Sequence, residues 1–186
     1  MNKIISLDIS SSTVGWATLS YDDNNFSLEE YGHIKPLKST KGSLAFRASD
    51  YFDKISDLLK EKNPDFVVIE AYASRFQSRK STARTIIVLS FFNELTSVAS
   101  LKAIKIEPIS YPVVTIRSCL SKFSGTKITS KEDCFKFIEK YFKNFTLRYK
   151  RTGSIKDECY DEADAIAVGL THIIKEQKNG KRLNLR

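Results

Sequence analysis

The sequence is short of the residues on which several common chemistries depend. Its 186 residues include three cysteines and two histidines. Cys119, Cys134 and Cys159 lie far apart and form no C-x-x-C pair, so the pattern indicates neither a disulfide framework nor a zinc site. His33 and His172 are not near a G-x-S-x-G or other nucleophile signature, which argues against a serine hydrolase. The cysteine pattern suits a reducing compartment.

Glycine-rich phosphate loops and long apolar runs are missing as well. Neither a Walker loop nor a G-x-G-x-x-G motif occurs, so nucleotide binding has no direct support. No apolar stretch reaches the roughly 18 residues of a membrane span. Met1-Asn2-Lys3 leads directly into a strand-like segment. We therefore expect a cytoplasmic protein that does not enter a membrane.

Positive charge is what the chain has in excess. Lys and Arg total 30 against 22 Asp and Glu, which gives a formal net charge of +8 and a pI near 9.3. Such a balance suits an acidic polymer, and nucleic acid is the leading candidate. A small basic protein that is merely soluble is the alternative. The sequence has no basic amphipathic helix that would argue for a lipid surface.

The apolar pattern predicts one α/β domain over residues 1–186. Three strands open the chain as an antiparallel meander and later strands alternate with helices, which gives a mixed five-stranded sheet flanked by helices on both faces. A basic stretch at 144–156 is predicted to be a mobile loop, and about 176–186 a flexible tail. The predicted strands are 4–9, 15–21, 26–34, 66–69 and 105–109, and the predicted helices are 44–62, 81–103, 130–142 and 161–175.

The second predicted helix is apolar around most of its circumference, above all at 86–92. Such a helix needs burial on two sides. It either lies deep in the monomer, which is the commoner arrangement, or packs on a second copy of the chain across a two-fold axis. We favour the second alternative, a homodimer formed through the helix around 84–98.

Two acidic residues stand on strands that are predicted to be buried. Asp8 has apolar neighbours that demand burial, and a buried carboxylate is costly unless a cation satisfies it. A buried Lys or Arg could be that cation, but a metal ion is the better explanation. Glu70 ends the strand 66–69, at the edge where open α/β sheets bind ligands. Taken alone, a glutamate at the end of a strand is more often a solvated residue. Glu70 is therefore a candidate metal ligand mainly because Asp8 also stands on a buried strand.

Asp161 and Asp164 are spaced i, i+3 on one side of the last predicted helix. Acids near a helix start commonly cap it or favour its dipole, so this pair means little alone. With Asp8 and Glu70, however, they supply the oxygen ligands that Mg²⁺ or Mn²⁺ prefers. Two such ions about 4 Å apart can activate a water and stabilise the leaving oxygen of a phosphodiester. The four carboxylates therefore predict a metal-dependent nuclease.

Three segments together resemble the motifs of one known family. They are the run SLDISSSTVGWA at 6–17, the run VVIE at 67–70 and the run DEADAIA at 161–167. In this order, and with Pro64 introducing the second motif, they resemble the RuvC family of Holliday junction resolvases, particularly its phage-encoded relatives, over almost the whole chain. A glycine usual in the first motif is replaced by Ser10. The loop 71–82 does not match the family pattern, which leaves the cut-site preference open.

The resemblance implies an RNase H-like fold, a homodimer and paired nicks across a four-way junction, with forks and flaps as further substrates. It implies that Asp8, Glu70, Asp161 and Asp164 are the ligands of two ions, Mg²⁺ or Mn²⁺. Arg117 and Lys131 would steady the scissile phosphate, with Lys131 the surer of the two and counted as catalytic. The protein would act in the bacterial cytoplasm, or in that of the host if a phage encodes it.

Basic and aromatic residues mark a possible DNA path. Basic residues cluster after Glu70, around Gly125 and in the 144–156 stretch, where a polyanion could pass. Each basic cluster could instead be a solvated face, and Phe76 could pack on the next helix. Tyr72 or Phe76 could alternatively act as a wedge at the junction centre. The candidates for DNA binding are Tyr72, Arg75, Phe76, Arg79, Lys80, Arg117, Lys127 and Lys131.

Two other functions fit parts of the sequence. A non-cleaving RNase H-like module that binds branched nucleic acid would share the fold and the charge, although the presence of all four acids speaks against it. A phosphotransferase relative is suggested by the Ser/Thr-rich turn that follows Asp8. That fold normally needs two domains, and the chain is too short for them.

Overall fold

Strand β1 (Asn2–Ile9) lies near the centre of a mixed sheet in a computed structural model that describes residues 1–10, 12–37, 42–72, 83–177 and 184–185. The strand order is β5-β4-β1-β2-β3-β6. β1, β2 and β3 form an antiparallel meander, whereas β4 and β5 join in parallel. The other elements in chain order are β2 (Val14–Tyr21), β3 (Asn25–Ile34), α1 (Leu44–Lys62), β4 (Phe66–Ala71), α2 (Ala83–Ile104), β5 (Ile109–Pro112), α3 (Val113–Ser124), α4 (Lys131–Tyr141), α5 (Asp157–Glu176) and β6 (Asn184–Leu185).

The two faces of the sheet bury separate apolar layers. Ile5 and Leu7 pack with α1 and α2, whereas Ile4 packs with α3, α4 and α5. This division follows from the strand period of two, which sends successive side chains to opposite faces. The prediction of a mixed sheet with helices on both faces is confirmed.

Helix α5 lies unusually close to the sheet. A Cβ added at Gly169 would come within 2.6 Å of Leu19 Cδ1 and 2.7 Å of Ser6 Oγ. A larger residue at this position would therefore force the Leu19 and Ser6 side chains to shift. The helix covers the middle of the sheet and is buried along most of its length.

Local signals for two helices were read correctly from the sequence. Helix α1 has the predicted bounds: Ser43 caps its start by accepting from the amide of Phe46, and Asn63 ends it in the left-handed conformation at φ 42°. At α4, which was predicted at 130–142, Ser130 and Asp133 form a capping box.

The region between α2 and α4 differs from the prediction. The strand expected at 105–109 is wrong, because the chain turns there with Lys105 at φ 63° and the strand covers Ile109–Pro112 instead. Pro112 is tolerated because β5 is an edge strand. Helix α3 was missed. Its first turn is rich in β-branched residues, which have low helix propensity.

The end of the chain differs as well. The predicted mobile loop at 144–156 contains a hydrogen-bonded hairpin with a bridge between Tyr149 and Ile155. Helix α5 begins at Asp157, about one turn before the predicted start at 161. Within the expected tail, Asn184–Leu185 pair with β3 in parallel, and the neighbouring residues lie outside the described part of the chain.

Helix α2 is apolar and only partly covered. Tyr51 of α1 packs against Phe92, and the Tyr51 hydroxyl lies 2.6 Å from Thr96 Oγ1. The segment Thr85–Ile104 has a mean hydropathy of 1.3, so by length and composition it could cross a membrane. The expectation that no segment meets that criterion is wrong for this helix. One such helix is weak evidence, because core helices of soluble proteins also meet it.

Candidate active site

Sheet register brings Asp8 and Glu70 together. Leu7 pairs with Ile69 across the parallel strands β1 and β4, so the next residue on each strand is an acid at the same edge. The strand period of two turns both acids toward the face that carries α5, opposite to Leu7 and Ile69. Two strands thus deliver two carboxylates side by side to the crevice at their carboxyl ends.

The second turn of α5 delivers Asp161 and Asp164 to the same edge. Gly15 pairs with Asp8 in the sheet, and a Cβ at Gly15 would lie 2.1 Å from the Asp161 carbonyl oxygen. The helix backbone therefore rests directly on the strand next to Asp8. Because the helix begins at Asp157, neither acid is a capping residue of its first turn. The capping interpretation weighed for this pair is therefore wrong.

A pocket of about 200 Å³ lies where the two layers meet. Three of the four predicted acids line it, and Asp161 joins them through Lys131. Helix α3, which the sequence analysis missed, provides much of the opposite wall. The lining residues are Asp8, Glu70, Val113, Ile116, Arg117, Lys131, Cys134, Asp164 and Ala167.

Two cations face these acids. Lys131 Nζ lies 2.8 Å from Asp164 and 3.2 Å from Asp161, and the capping box at the start of α4 fixes the backbone of this residue. Arg117 lies in the pocket wall and donates to the carbonyl oxygen of Thr129 at 2.8 Å. Two positive groups therefore stand against four carboxylates, so the pocket has an excess of negative charge when all are ionised.

That excess is visible in the ionisation of the acids. Burial, and after it the neighbouring Asp164, raise the pKa of Glu70 to about 7 although Lys131 and Arg117 lower it. Burial also raises the pKa of Asp8, with Asp164 and Glu70 adding to the effect. The pKa of Asp164 is raised by burial against the opposing effect of Lys131. A further cation would therefore relieve the site.

The donor set fits a hard divalent cation. Carboxylate oxygens are the ligands that such ions prefer, and burial and the neighbouring acids raise the pKa of Asp8 and Glu70 in spite of Lys131. Within the described ranges, however, no three acidic, histidine or cysteine side chains are arranged closely enough to enclose an ion. The Lys131 ammonium supplies part of the positive charge that an ion would bring, because it contacts both Asp161 and Asp164.

A second, buried charge network lies behind the site, and the sequence analysis missed it. Glu162 is fully buried between the two α5 acids in sequence, and its carboxylate accepts from both the Arg148 guanidinium and His33 Nδ1, the latter at 2.8 Å. His33 pairs with Gly15 across the sheet, so this network ties α5 to β3 beside Asp161. The partners are distant in sequence, and no local pattern signals them.

The predicted DNA-binding residues fall into three groups. Arg117 and Lys131 lie in the pocket. Tyr72 follows β4 directly with 39% of its surface exposed, and Lys127 is exposed in the connection between α3 and α4. The others, Arg75, Phe76, Arg79 and Lys80, lie outside the described residues.

The raised pKa of Glu70 predicts a stability that depends on pH. An acid with a raised pKa in the folded state stabilises the fold while it is protonated, and this contribution is lost as pH rises through the folded-state value of about 7. We expect the melting temperature of the metal-free protein to fall between about pH 5 and 7. Mg²⁺ at neutral pH should raise it again. Scanning calorimetry of the wild type and Glu70→Gln tests this, and an unchanged pH dependence in the variant contradicts it.

The buried network predicts a large cost for Arg148→Met. The change leaves the Glu162 carboxylate buried with His33 alone, so we expect the free energy of unfolding to fall by about 3 kcal/mol. Urea denaturation measures it. Arg151→Met is the matched control, because Arg151 is exposed and its removal should cost less than about 0.5 kcal/mol. Equal losses in the two variants would show that the network does not stabilise the fold.

Comparisons with known proteins support the fold. No protein-family model matches the chain. A segment of 68 residues is 32% identical to the crossover junction endodeoxyribonuclease RuvC of Fusobacterium nucleatum, which is 37% of this chain and only 35% of that relative. The structure of Thermus thermophilus RuvC in complex with Holliday junction substrate has a TM-score of 0.72 at 15% identity, covering 98% of this chain and 99% of that one.

The yeast mitochondrial Holliday junction resolvase Ydc2 is a more distant structural relative. It has a TM-score of 0.62 at 13% identity, over 96% of this chain and 81% of that one. At these identities the likeness shows the fold. The resemblance to RuvC proteins seen in the sequence motifs is thereby confirmed, and the chain has the RNase H-like fold in the form found in RuvC.

Proposed function

We propose that the chain is a metal-dependent endonuclease that resolves Holliday junctions, and other branched DNA such as forks and flaps, by paired phosphodiester hydrolysis. The observation that carries the proposal is the meeting of Asp8, Glu70 and Asp164 in one pocket with Lys131. The fold supports the proposal as well, because the structure of Thermus thermophilus RuvC, which has the same fold, is a complex with Holliday junction substrate. The nuclease domain would cover residues 1–186 and work in the cytoplasm, away from membranes.

The metal ligands in this proposal are Asp8, Glu70, Asp161 and Asp164. They would hold two ions, Mg²⁺ or Mn²⁺, and such ions supply an activated water and stabilise a leaving oxygen. The protein contributes a rigid frame. Strand register fixes the first two acids, and the contact at Gly15 fixes the helix that carries the other two.

Lys131 would steady the scissile phosphate. Burial lowers the pKa of its ammonium, but Asp164, Asp8 and Asp161 outweigh that effect and keep the pKa above its ordinary value. The group is therefore charged at neutral pH, and nearly half of its side chain is exposed to an incoming strand. Arg117, in the same pocket wall, can donate to phosphate oxygens as well.

The DNA would enter over the edge that carries Asp8 and Glu70. Exposed Tyr72 follows β4 two residues after Glu70, and its ring could stack on an unpaired base at the junction centre. Phosphates would be bound by the basic candidates, of which Arg75, Arg79 and Lys80 lie outside the described residues. The candidates are Arg75, Arg79, Lys80, Arg117, Lys127 and Lys131, with Phe76 as the other aromatic.

The enzyme would act as a homodimer through α2. Ile87 is 67% exposed, and Phe91, Val98 and Leu101 are exposed on the same helix. Several exposed apolar side chains on one helix suit contact with a second copy across a two-fold axis, which would also place two active sites for paired nicks. We propose that a second copy of the chain covers the part of α2 around 84–98.

Glu70→Gln should separate binding from cleavage. The amide keeps the shape of the side chain but loses the charge of a metal ligand, so we expect junction binding to persist and cleavage in Mg²⁺ to fall by at least about 100-fold. The assay compares an immobile four-way junction with linear duplex, in Mg²⁺ and in chelator. Glu107→Gln, an exposed glutamate at the opposite edge of the sheet, is the control and should cleave normally.

Two results would contradict the assignment. Retained Mg²⁺-dependent cleavage by Glu70→Gln would remove that residue from the metal site. A wild-type protein that binds junctions but leaves them intact in both Mg²⁺ and Mn²⁺ would instead favour the non-cleaving binding module.

Ile87→Glu should disrupt the dimer. The change places a charge in the apolar face of α2, where desolvating it on association is costly. We expect a dimer of the wild type and a monomer of the variant by sedimentation velocity. Leu44→Glu, at a 48% exposed apolar position on α1, is the matched control and should remain dimeric. A monomeric wild type would overturn the proposal.

A further inference from the structure

A hairpin at residues 148–156, here called the 148–156 hairpin, projects from the same edge of the sheet as the acids. The chain that leads to it follows β3: Asn144 donates to the carbonyl oxygen of Leu28, and the Thr146 amide donates to the hydroxyl of Tyr31. Arg148 then reaches the Glu162 carboxylate, which also contacts His33. The hairpin therefore starts where β3 ends.

The end of β3 is level with the candidate active site. Across the sheet, Asp8 pairs with Gly15 and Gly15 pairs with His33, so these residues form one row at the edge. The 148–156 hairpin thus lies on the β3 side of the acids. Tyr72, which follows β4, lies on the other side.

The hairpin is well defined by its own hydrogen bonds. The Lys156 amide donates to Arg148 at 2.8 Å and the Lys150 amide donates to Ser154 at 2.7 Å, both to carbonyl oxygens. Gly153 takes the left-handed conformation at φ 82° that closes the turn. Since the buried Glu162 anchors its base, the hairpin is a preorganised surface, and binding to it requires little ordering.

Its outer surface carries cations that the fold does not use. Arg151 and Lys156 are exposed, and within the described part of the chain neither forms an ion pair. Lys150 pairs with Asp157, which is 84% exposed, and such a pair contributes little in water. Tyr149 is 57% exposed between these charges, so its hydroxyl and ring both face solvent.

We propose that the 148–156 hairpin binds the phosphate backbone of one DNA arm beside the scissile phosphate. Exposed arginine, lysine and tyrosine side chains are the groups that most often contact phosphates and sugars without reading sequence. The base of the hairpin is bonded to Glu162, the residue next to Asp161, so an arm held there is fixed relative to the acids. This proposal rests on the proposed nuclease function.

Salt dependence of binding tests the proposal with the full-length protein. Affinity for a fluorescent immobile four-way junction is measured in chelator over a range of NaCl concentrations. Each phosphate contact adds about 0.9 to the slope of log affinity against log salt, so Arg151→Ala/Lys156→Ala should reduce that slope by about 1.8. Tyr149→Ala should also weaken binding, and Tyr149→Phe should weaken it less.

The matched control removes two other lysines. Lys60 and Lys102 are exposed in the last turns of α1 and α2, at the opposite edge of the sheet. Lys60→Ala/Lys102→Ala changes the net charge of the protein by the same amount, and its slope should equal that of the wild type. A loss of slope in the hairpin variant alone therefore reports contacts and not net charge.

The outcomes also separate this proposal from the nuclease function. Equal slopes and affinities in the hairpin variant and the wild type would overturn the hairpin proposal while junction cleavage stands. A wild type that binds junctions without cleaving them would overturn the nuclease function, and the slopes would still decide the role of the hairpin. A wild type that binds no junction would overturn both.

Discussion

The contact between Gly15 and the backbone of Asp161 determines how the site is assembled. The four acids come from two strands and one helix, and only the depth at which α5 sits on the sheet decides whether the helix pair meets the strand pair. A side chain of even one carbon at Gly15 would collide with the helix backbone, which cannot move aside as a flexible side chain can. Farther along the helix, Gly169 permits the same close approach of α5 to the sheet. The close packing of α5 on the sheet therefore determines the geometry of the site.

The site concentrates electrostatic strain that the surrounding structure must hold in place. Carboxylates that are buried near one another resist ionisation, as the raised pKa values of Asp8 and Glu70 show. Directly behind them, Glu162 has its charge fully balanced by Arg148 and His33. The unbalanced acids face the pocket and the balanced one faces the core. This division leaves the site ready to gain a cation while the helix that presents it stays anchored.

The sequence predicted the fold and the acids where short-range physics determines them. Asp8 and Glu70 stand out because an acid is costly in a buried strand, and the strand period then places both on one face. Glu162 could not be found in this way, since its partners lie 14 and 129 positions away in the chain. Helix α3 was missed because its β-branched first turn and Pro112 outweighed the helical spacing of Ile116 and Leu120. Tertiary packing supplies what local propensity lacks there.

The edge strands of the sheet affect how copies of this protein can associate. Edge strand β5 has four residues and ends at Pro112, which has no amide hydrogen to offer another strand. At the opposite edge, within the described residues, β6 has two residues and pairs with β3 at Asn25 and Phe26. A neighbouring chain thus finds few free backbone groups at the β5 edge. Extension of the sheet by strand pairing is therefore disfavoured at that edge, and self-association there is left to side-chain surfaces, whose geometry can close after a single pairing.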